Sequence, residues 1–542
     1  MTTDAGNRAL ELTVERMAYG ADAVAHTQDG KAVFVTGATP GDRILAEVAS
    51  DGASFSRARV AEVLEAGPDR VAASCPYAGA CGGCPWMSLS RKGQLAAKRT
   101  NVVDSLTRIG HFPAEVAESL VTECEAPSGP LGYRNKIELA FERNGSAASF
   151  GMHAAGGAGI VKVKSCLLLE KRFAKLPRSI SGALGFVSGS HGLDFERVGI
   201  RASSRTGDVE VALWDAPGPF PRAQVSRVLN DAAKVSSVVR VMSKGPAKAR
   251  RIAGVERLSG AGSWSERIAG GTMRLSAPSF FQVNTAGAEK LVELVMAALD
   301  PQDDDIAMDL YSGAGTFTLP LARRCAYVSA VESYAPAVRD LRRNLETANL
   351  ENVDAVGGDA GREFPDDEAD IIVVDPPRAG LAPEVVDLLC SQPARSIAYV
   401  SCDPATLARD LQRFAADGTF EVRSITPVDL FPQTFHVETV AVLSRKSASK
   451  SFIPVSISPK DMGLSEEKDQ PTYANIRDYV QKTHGMKVSS LYVAQMKAEC
   501  GLETQADRSG NKKQPKCPPE KREAILDAFR HFGLIGEDGT EE

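Results

Sequence analysis

Five short apolar runs in the second half of the chain constrain its fold more than any other feature. The runs occupy residues 306–310, 328–332, 371–375, 397–401 and 437–443. The stretches between them have helical periodicity, and buried strands that alternate with helices are typical of a doubly wound parallel sheet. Residues 281–445 are therefore predicted to form an α/β domain whose ligands bind beyond the carboxyl ends of its strands.

The rest of the chain is predicted to form separate units, because 542 residues are too many for a single hydrophobic core. Residues 10–66 contain several short β-like runs separated by turn signals, which favours a small closed barrel of the oligonucleotide-binding type. Residues 67–280 are interpreted as a mixed α+β central domain that begins with a cluster of cysteines. A polar, aperiodic stretch at 446–468 is interpreted as a linker, and residues 469–542 as a small helical extension.

The helical extension contains the run KVSSLYVAQMKAEC, which resembles the second helix of a helix-turn-helix unit. Such a unit could bind nucleic acid, bind another protein or pack on the α/β domain. The sequence favours none of these three roles over the others.

The chain lacks the sequence signals of secretion and membrane insertion. Its N-terminus has no basic segment followed by an apolar run, and no apolar stretch is long enough to span a bilayer. Ten cysteines in 542 residues do not make a disulfide scaffold. We therefore expect a cytoplasmic monomer with reduced cysteines and no membrane contact.

A glycine-rich turn follows the first apolar run of the α/β domain. The sequence DLYSGAGTFTLPLA passes from a strand through Gly313 and Gly315 into a helix, so the backbone can approach a ligand there. Glu332 closes the next strand, at about the sequence offset at which an acidic residue binds a ribose hydroxyl. Thr318 stands where a dinucleotide-binding turn has its third glycine. A nucleoside without phosphates, such as S-adenosylmethionine, is therefore favoured over a pyrophosphate cofactor; the alternative is a tight turn without a ligand.

Three further strands carry chemically capable residues. Asp375 ends the run IIVVDPPRAG, Cys402 follows the strand in VSCDPATLARDL, and Glu438 is predicted to lie inside the strand in HVETVAVL. A glutamate in an apolar strand is costly unless it is paired or functional. Taken singly, Asp375 could cap a strand, Cys402 could be a core thiol and Arg378 is favoured as an ordinary surface charge. Together the sequence predicts a thiol nucleophile, a carboxylate base and a nucleoside pocket at one end of the sheet.

Five motifs, FFQVNT, DLYSGAGTFTLPLA, VDPPRAG, SCDPATLARDL and HVETVAVL, resemble in order and spacing those of the S-adenosylmethionine-dependent RNA uracil-C5-methyltransferase family. The resemblance implies a Rossmann-like methyltransferase domain over residues 281–445. It also implies that Cys402 is the nucleophile that adds to carbon 6 of uracil. Carbon 5 then takes the methyl group, and Glu438 is implied as the base that removes the carbon 5 proton.

The same resemblance implies a set of residues that bind the methyl donor or order its pocket. These are Gln282, Tyr311, Gly313, Gly315, Thr316, Glu332, Asp359 and Asp375. The family often has asparagine at the position of Thr316 and cysteine at that of Ser312, so this chain departs from the pattern at both.

Four cysteines are candidates for a metal site. The run CPYAGACGGCPW contains Cys75, Cys81 and Cys84, and Cys166 follows much later. Four thiolates can hold zinc or an iron–sulfur cluster, and the spacing does not choose between them. The cluster resembles the iron–sulfur site of the rRNA-modifying branch of the family, which favours 4Fe–4S with zinc as the alternative. The remaining cysteines outside the nucleophile motif are predicted to be structural.

RNA is the expected partner, although the formal net charge is −6. The barrel resembles a TRAM domain, an RNA-binding module, and basic residues occur in clusters that can contact phosphates. These residues are Arg57, Arg59, Arg91, Lys92, Lys98, Arg99, Arg134, Lys136, Lys244, Lys248, Arg250 and Arg251.

The first hypothesis for the function is an enzyme that makes 5-methyluridine in 23S rRNA. The alternatives are the same chemistry on tRNA, a non-catalytic RNA-binding or assembly protein, and a zinc-binding scaffold.

Overall fold

The computed structural model of the chain describes residues 9–246, 251–446, 473–486, 488, 490–502 and 517–536. The predicted linker lies outside these residues except for residue 446, and so do the predicted RNA contacts Lys248 and Arg250. No helix in the part of the chain that the structure describes is long and apolar enough to cross a membrane.

The N-terminal residues form a closed five-stranded barrel, which confirms the predicted small barrel. Its strands are β1 (Ala9–Met17), β2 (Ala23–His26), β3 (Ala32–Thr36), β4 (Arg43–Asp51) and β5 (Phe55–Glu65). They are joined in the order β1-β2-β3-β5-β4. Alternate residues such as Leu12, Val14 and Ile44 fill the interior, as the period of two along a strand requires.

The next described part of the chain combines four helices with an antiparallel-rich sheet. Its elements are α1 (Arg91–Arg108), α2 (Ala114–Leu120), β6 (Lys136–Asn144), β7 (Ala147–His153), β8 (Ile160–Val161), α3 (Leu176–His191), β9 (Arg197–Ala202), β10 (Val209–Asp215), α4 (Arg222–Ala232), β11 (Ser237–Lys244) and β12 (Arg251–Gly260). The seven strands run in the order β12-β11-β10-β9-β6-β7-β8. Leu184 of α3 and Leu229 of α4 pack against Val198 and Val211 in one apolar core. We refer to these strands as the central sheet.

A second seven-stranded sheet occupies the predicted α/β domain, and we refer to it as the C-terminal sheet. A hairpin of β13 (Trp264–Ile268) and β14 (Gly271–Leu275) precedes it, followed by α5 (Thr285–Leu299), β15 (Ile306–Leu310), α6 (Thr318–Ala322), β16 (Tyr327–Glu332), α7 (Ala335–Thr347), β17 (Val353–Gly357), β18 (Ile371–Val374), α8 (Pro383–Ser391), β19 (Ser396–Ser401), α9 (Pro404–Asp417), β20 (Phe420–Val428) and β21 (Glu438–Arg445). The strand order is β17-β16-β15-β18-β19-β21-β20. All five apolar runs therefore form strands of one sheet.

The sheet was predicted to be parallel, and this prediction is wrong at one edge of the sheet. Strand β21 runs antiparallel to both β19 and β20. Strands β17 and β20 were also missed, because they lie at the two edges of the sheet and lack a continuous apolar run. The reversal of β21 brings its first residue, Glu438, to the end of the sheet at which β18 and β19 finish. Glu438 thus begins the strand instead of lying inside it.

Helices α1 and α2, which the sequence placed in the central domain, pack on the C-terminal sheet. Val102, Leu106 and Ala117 share one core with residues of β15, β18 and β19. The chain after α2 pairs with the edge strand β20 at Val121 and Glu125. An amphipathic helix shows in its sequence that one face is buried, but not which element covers that face.

Three of the four α1 cations that were predicted to contact RNA form ion pairs within the protein instead. Lys98 is fully buried and forms an ion pair with Asp429, which also pairs with Arg91. Arg99 pairs with Glu118 at 2.8 Å. Of the four cations predicted on this helix, Lys92 is the one with an exposed side chain.

Replacing Lys98 by methionine is expected to destabilise the protein by about 3 kcal/mol, because it leaves the buried Asp429 with fewer compensating charges. Urea denaturation followed by tryptophan fluorescence measures the change. Lys92→Met on the same helix is the control and is expected to shift the unfolding free energy by less than about 0.5 kcal/mol. Equal stability of the two variants would contradict the structural role of Lys98.

The described part of the C-terminal extension consists of three helices, α10 (Tyr473–His484), α11 (Ser490–Glu499) and α12 (Pro519–His531). They bury Ile476, Val493 and Phe529 in a core of their own. Arg477 pairs with Glu368 at 2.7 Å, just before β18 begins. The extension therefore contacts the C-terminal sheet on the side opposite to the carboxyl ends of its parallel strands.

Candidate active site

The glycine-rich turn after β15 has an unusual backbone that opens space beside the sheet. Tyr311, Gly313 and Gly315 have φ values of +64°, +57° and +103°. A Cβ atom at Gly315 would lie 2.3 Å from Cδ1 of Leu319, so a larger residue there would displace a buried leucine side chain in addition to straining the backbone. A Cβ atom at Gly313 would meet no atom within 4 Å. The backbone at Gly313 therefore borders open space that a ligand can occupy.

Two carboxylates hold this turn in place. Glu332 accepts hydrogen bonds from the backbone N–H of Gly313 at 3.0 Å and of Tyr334 at 2.6 Å. The buried Asp309 accepts one from the Thr318 hydroxyl at 2.5 Å. Thr318, which replaces the third glycine of a dinucleotide-binding turn, thus has a structural partner of its own.

The carboxyl ends of β15, β16 and β18 create a cluster of three acidic groups. Burial, with a contribution from the charge of Glu332, raises the pKa of Asp375 to about 7. Burial likewise raises the pKa of Asp309 to about 8, and the charges of Asp375 and Glu332 contribute despite the opposing hydrogen bond from Thr318. Such a cluster favours the binding of a cationic group.

Two buried side-chain oxygens, one in the FFQVNT segment and one in the glycine-rich turn, lack a partner among the residues that the structure describes. They are Oε1 of Gln282, whose side chain is 6% exposed, and Oγ of Ser312. The position of Gln282 is fixed by Asn135, whose side chain donates to its backbone carbonyl at 3.0 Å. Buried polar atoms usually have a hydrogen-bond partner, so these two oxygens are available to a ligand.

Two other predicted donor residues lie at the rim of this pocket. Thr316 is partly buried in the turn, and Asp359 is exposed just beyond β17. Asp359 accepts a hydrogen bond from the Gly361 N–H at 3.0 Å. Burial raises the pKa of Tyr311 to about 12, and the charge of Asp359 contributes. The predicted donor residues from four separate motifs therefore meet at one end of the sheet.

Cys402 lies at the junction of β19 and α9, where it is partly exposed. The next residue, Asp403, caps the helix by accepting hydrogen bonds from the N–H groups of Ala405 at 2.9 Å and Thr406 at 3.2 Å. Pro404 occupies the first helical position, which suits proline. Cap and proline together fix the backbone that presents the thiol.

Cys402 and Glu438 share one electrostatic environment. Burial raises the pKa of the Cys402 thiol to about 12, and the charges of Glu438 and Asp375 contribute. Burial also raises the pKa of Glu438 well above its ordinary value; Asp375 adds to this, whereas Arg378 and Lys98 oppose it. Without a bound ligand the site therefore holds a thiol and a carboxylic acid. A nucleophile and a proton acceptor are available once a ligand shifts these equilibria.

Arg378 is exposed, as its interpretation as a surface charge predicts, and it also lies next to this site. Its positive charge opposes the raised pKa of both Cys402 and Glu438. One guanidinium nitrogen lies 3.5 Å from Nδ1 of His436. Burial lowers the pKa of His436 to about 4, with Arg378 contributing, so this imidazole is neutral. The position of Arg378 three residues after Asp375 was the signal in the sequence.

The four cysteines that were predicted to bind a metal lie close enough together that the charges of three of them affect the pKa of the fourth, Cys84. Burial raises the pKa of Cys84 to about 12, and the charges of Cys166, Cys81 and Cys75 contribute in that order. Within the described residues, however, no group of three or more His, Cys, Asp or Glu side chains is arranged to hold a metal ion. The iron–sulfur site therefore stays a prediction.

Comparison with protein families places the second half of the chain in a known group. Residues 269–446 match the model of the tRNA (uracil-5-)-methyltransferase family. An uncharacterized RNA methyltransferase of Thermosynechococcus vestitus is 32% identical over 444 residues, which cover 80% of this chain and 98% of that protein. Another, from Streptomyces avermitilis, is 36% identical over 452 residues, with 80% and 97% covered.

A solved structure shares most of the architecture. The tRNA (uracil-54, C5)-methyltransferase of Pyrococcus abyssi, in complex with S-adenosyl-L-homocysteine, superposes with a TM-score of 0.62. It is 25% identical in sequence, and the match covers 80% of this chain and 99% of the Pyrococcus chain.

Proposed function

We propose that this chain, which belongs to the RNA uracil-5-methyltransferase family and depends on S-adenosylmethionine, methylates carbon 5 of a uridine in 23S rRNA. The proposed reaction proceeds through a covalent bond between Cys402 and carbon 6 of the uracil. The observation that carries the proposal is the convergence of a thiol and a buried carboxyl group beside an acidic pocket. Such a pair is what the reaction needs, because carbon 5 of uracil is a weak nucleophile until a thiolate has added to carbon 6.

Each proposed step has a defined proton and electron balance. The Cys402 thiolate adds to carbon 6, and the electron pair of the 5,6 double bond moves into an enolate. Carbon 5 then forms a bond to the methyl group that S-adenosylmethionine would supply, the sulfur–methyl bond breaks with its electron pair staying on sulfur, and neutral S-adenosylhomocysteine is the leaving group. Glu438 then takes the carbon 5 proton, the double bond re-forms and the thiolate leaves carbon 6.

The ionisation of Cys402 is the main requirement of this scheme. A thiol with a pKa of about 12 is almost entirely protonated at neutral pH. A cationic sulfonium in the acidic pocket would offset the negative charges that raise this pKa, as Arg378 already does. We therefore expect bound methyl donor to activate the nucleophile.

The proposed donor-binding residues are Gln282, Tyr311, Gly313, Gly315, Thr316, Glu332, Asp359 and Asp375. The unpartnered oxygen of Gln282 and the open space beside Gly313 support them. The acidic cluster complements the positive charge of a sulfonium and of an amino group.

The affinity for S-adenosylmethionine is expected to rise roughly five- to tenfold from pH 6 to pH 7.5. Asp375, with a pKa of about 7, is mostly protonated at pH 6. A bound cation favours the carboxylate, so binding releases a proton and becomes tighter as the pH rises through this pKa. Calorimetry at several pH values in two buffers measures both the affinity and the proton release. S-Adenosylhomocysteine, whose sulfur is neutral, is the control and is expected to show a weaker dependence; identical pH profiles would contradict the role of the acidic cluster.

RNA is proposed to reach the site along a basic cavity beside the cysteine cluster. This cavity has a volume of about 570 Å³, and its charged lining residues are Arg134, Lys136 and Glu138, of which the last two form an ion pair at 2.9 Å. Tyr133, the residue before Arg134, donates to the Pro432 carbonyl at 3.0 Å, so the cavity lies beside the segment that leads to Glu438. A uridine within folded RNA must be turned out of its stack to enter such a site.

The barrel is proposed to act as a TRAM-type RNA-binding module. Arg57 is 58% exposed in its side chain and lies over the rings of Phe34 and Phe55. Arg59 on the same strand is 70% exposed. Both arginines form ion pairs, Arg57 with Asp22 and Arg59 with Glu47, yet their exposed guanidinium groups remain accessible to phosphates, and the rings beside Arg57 suit contacts with bases.

The first proposal, methylation of 23S rRNA, and its alternative, methylation of tRNA, differ only in the class of RNA that the enzyme modifies. We favour 23S rRNA because of the cysteine cluster, whereas the Pyrococcus neighbour is a tRNA enzyme. Incubating the protein with labelled donor and either unmodified 23S rRNA or unmodified tRNA, then mapping 5-methyluridine, distinguishes them. Label in rRNA alone supports the proposal, label in tRNA alone establishes the alternative, and label in neither excludes both.

A 4Fe–4S cluster held by Cys75, Cys81, Cys84 and Cys166 is part of the rRNA proposal. Its support is the number of thiols, the Cys-x2-Cys spacing and the mutual charge effects on Cys84. Protein purified without oxygen is expected to contain about four iron and four sulfide per chain. Cys166→Ser is expected to lower both contents and Cys500→Ser neither. Zinc in place of iron would establish the alternative, and the absence of both metals would contradict a metal site.

A further inference from the structure

A loop of the N-terminal barrel reaches the candidate active site. It comprises residues 18–22, between β1 and β2, and we call it the barrel loop. The hydroxyl of Tyr19 lies 3.5 Å from the backbone carbonyl oxygen of Cys402, to which it can donate. The ring of Tyr19 packs against the core of the C-terminal sheet. It also meets Phe435 edge to face, with ring centroids 5.8 Å apart. One barrel residue thus contacts both chain segments that carry Cys402 and Glu438.

The barrel loop is held rigidly from a second side. The indole N–H of Trp86, a residue 1% exposed, donates to the Gly20 carbonyl at 3.0 Å. Asn101 on α1 donates to the Ala18 carbonyl at 3.4 Å. The backbone N–H of Trp86 donates to the Gln433 carbonyl at 3.0 Å. The same tryptophan therefore connects the barrel loop with the segment that precedes Glu438.

The electrostatic environment of Tyr19 agrees with this position. Burial raises the pKa of its phenol, and the charges of Asp403, Cys402 and Glu438 raise it further, whereas Arg378 opposes them. Tyr19 therefore stays protonated over the working range of pH and can act as a hydrogen-bond donor.

We propose that Tyr19 is a positioning residue for the methyl transfer, because its hydroxyl and ring fix the backbone of Cys402 and the neighbouring Phe435. This inference rests on the proposed function, in which Cys402 is the nucleophile. The barrel then has a second role, since it completes the active site in addition to binding flanking RNA. Misplacing a reacting group by about 1 Å can cost on the order of 100-fold in rate, so such support has a measurable effect.

The two proposed roles of the barrel predict that barrel variants change different kinetic constants, and that only one of these changes depends on the length of the RNA. A contact with flanking RNA lowers the KM for long substrates and is irrelevant to a short oligonucleotide that lacks the flanks. A positioning residue acts on the rate at which the thiolate adds to carbon 6, at saturating RNA and for every length of substrate.

The test measures adduct formation with 5-fluorouridine, whose fluorine cannot leave as a proton does, so that the enzyme stays bound to the RNA. Single-turnover rates are measured at saturating RNA and donor, with a long RNA and with a short oligonucleotide that contains the same target. Tyr19→Phe, which removes only the hydroxyl, is expected to slow adduct formation about three- to tenfold on both RNAs. Tyr19→Ala, which also removes the ring, is expected to slow it about 100-fold. The KM for the long RNA is expected to change less than about twofold in the phenylalanine variant.

Arg59→Ala in the same barrel is the matched comparison and is expected to show the opposite pattern, a higher KM confined to the long RNA. Thermal melting of Tyr19→Phe checks that the fold is kept. A normal rate for Tyr19→Phe and Tyr19→Ala on the short RNA would overturn the inference while leaving Cys402 as the nucleophile. Absence of an adduct with the wild-type protein on both rRNA and tRNA sequences would instead overturn the proposed function, and the inference with it.

Discussion

Replacing Cys402 by alanine is expected to abolish both methyl transfer and the covalent adduct with 5-fluorouridine-substituted RNA. Without a thiolate, carbon 5 of uracil stays too weak a nucleophile to attack the methyl donor. Loss of a nucleophile typically costs on the order of 10⁴-fold or more in rate. Release of labelled methyl groups into RNA measures turnover, and denaturing gel electrophoresis detects the adduct.

The control for this variant is Cys500→Ala. Cys500 is also a half-buried thiol, but it belongs to the helical extension on the far side of the C-terminal sheet. Its replacement is expected to leave the adduct yield unchanged. An adduct of normal yield in Cys402→Ala would show that another group attacks carbon 6.

Replacing Glu438 by glutamine is expected to separate methyl transfer from product release. The amide keeps the shape of the buried side chain but cannot accept the carbon 5 proton. Turnover is expected to fall about 10³-fold, within the usual range for loss of a general base. With ordinary uridine RNA and donor, the variant is expected to accumulate methylated RNA that remains covalently bound to Cys402.

Glu421→Gln on the adjacent strand β20 is the comparison for this variant. Glu421 pairs with Arg423 at 2.6 Å and lies at the opposite end of the β20–β21 pair from Glu438. Its variant is expected to turn over normally and to accumulate no adduct. Normal turnover by Glu438→Gln would exclude Glu438 as the base and direct attention to Asp375 or His436.

Much of the C-terminal sheet and its acidic pocket could be predicted from the chain alone. Central strands are buried on both faces, so β15, β16, β18 and β19 appear as continuous apolar runs. The carboxyl ends of parallel strands share one end of a sheet, which places Glu332, Asp375 and Cys402 together without knowledge of any contact. The strands β17 and β20 escaped prediction because these edge strands are only partly buried and lack a continuous apolar run.

The sequence by itself determined which residues we propose to carry the chemistry, because strand periodicity and the residue at each strand end are local properties. Only the tertiary structure decided what surrounds them. The antiparallel direction of β21 brings Glu438 to Cys402. The burial of Lys98 turns a predicted RNA contact into an internal ion pair, and Tyr19 reaches Cys402 across 383 residues of chain. Such contacts depend on how separate elements pack, and a linear pattern of apolar and polar residues marks a buried face without naming its partner.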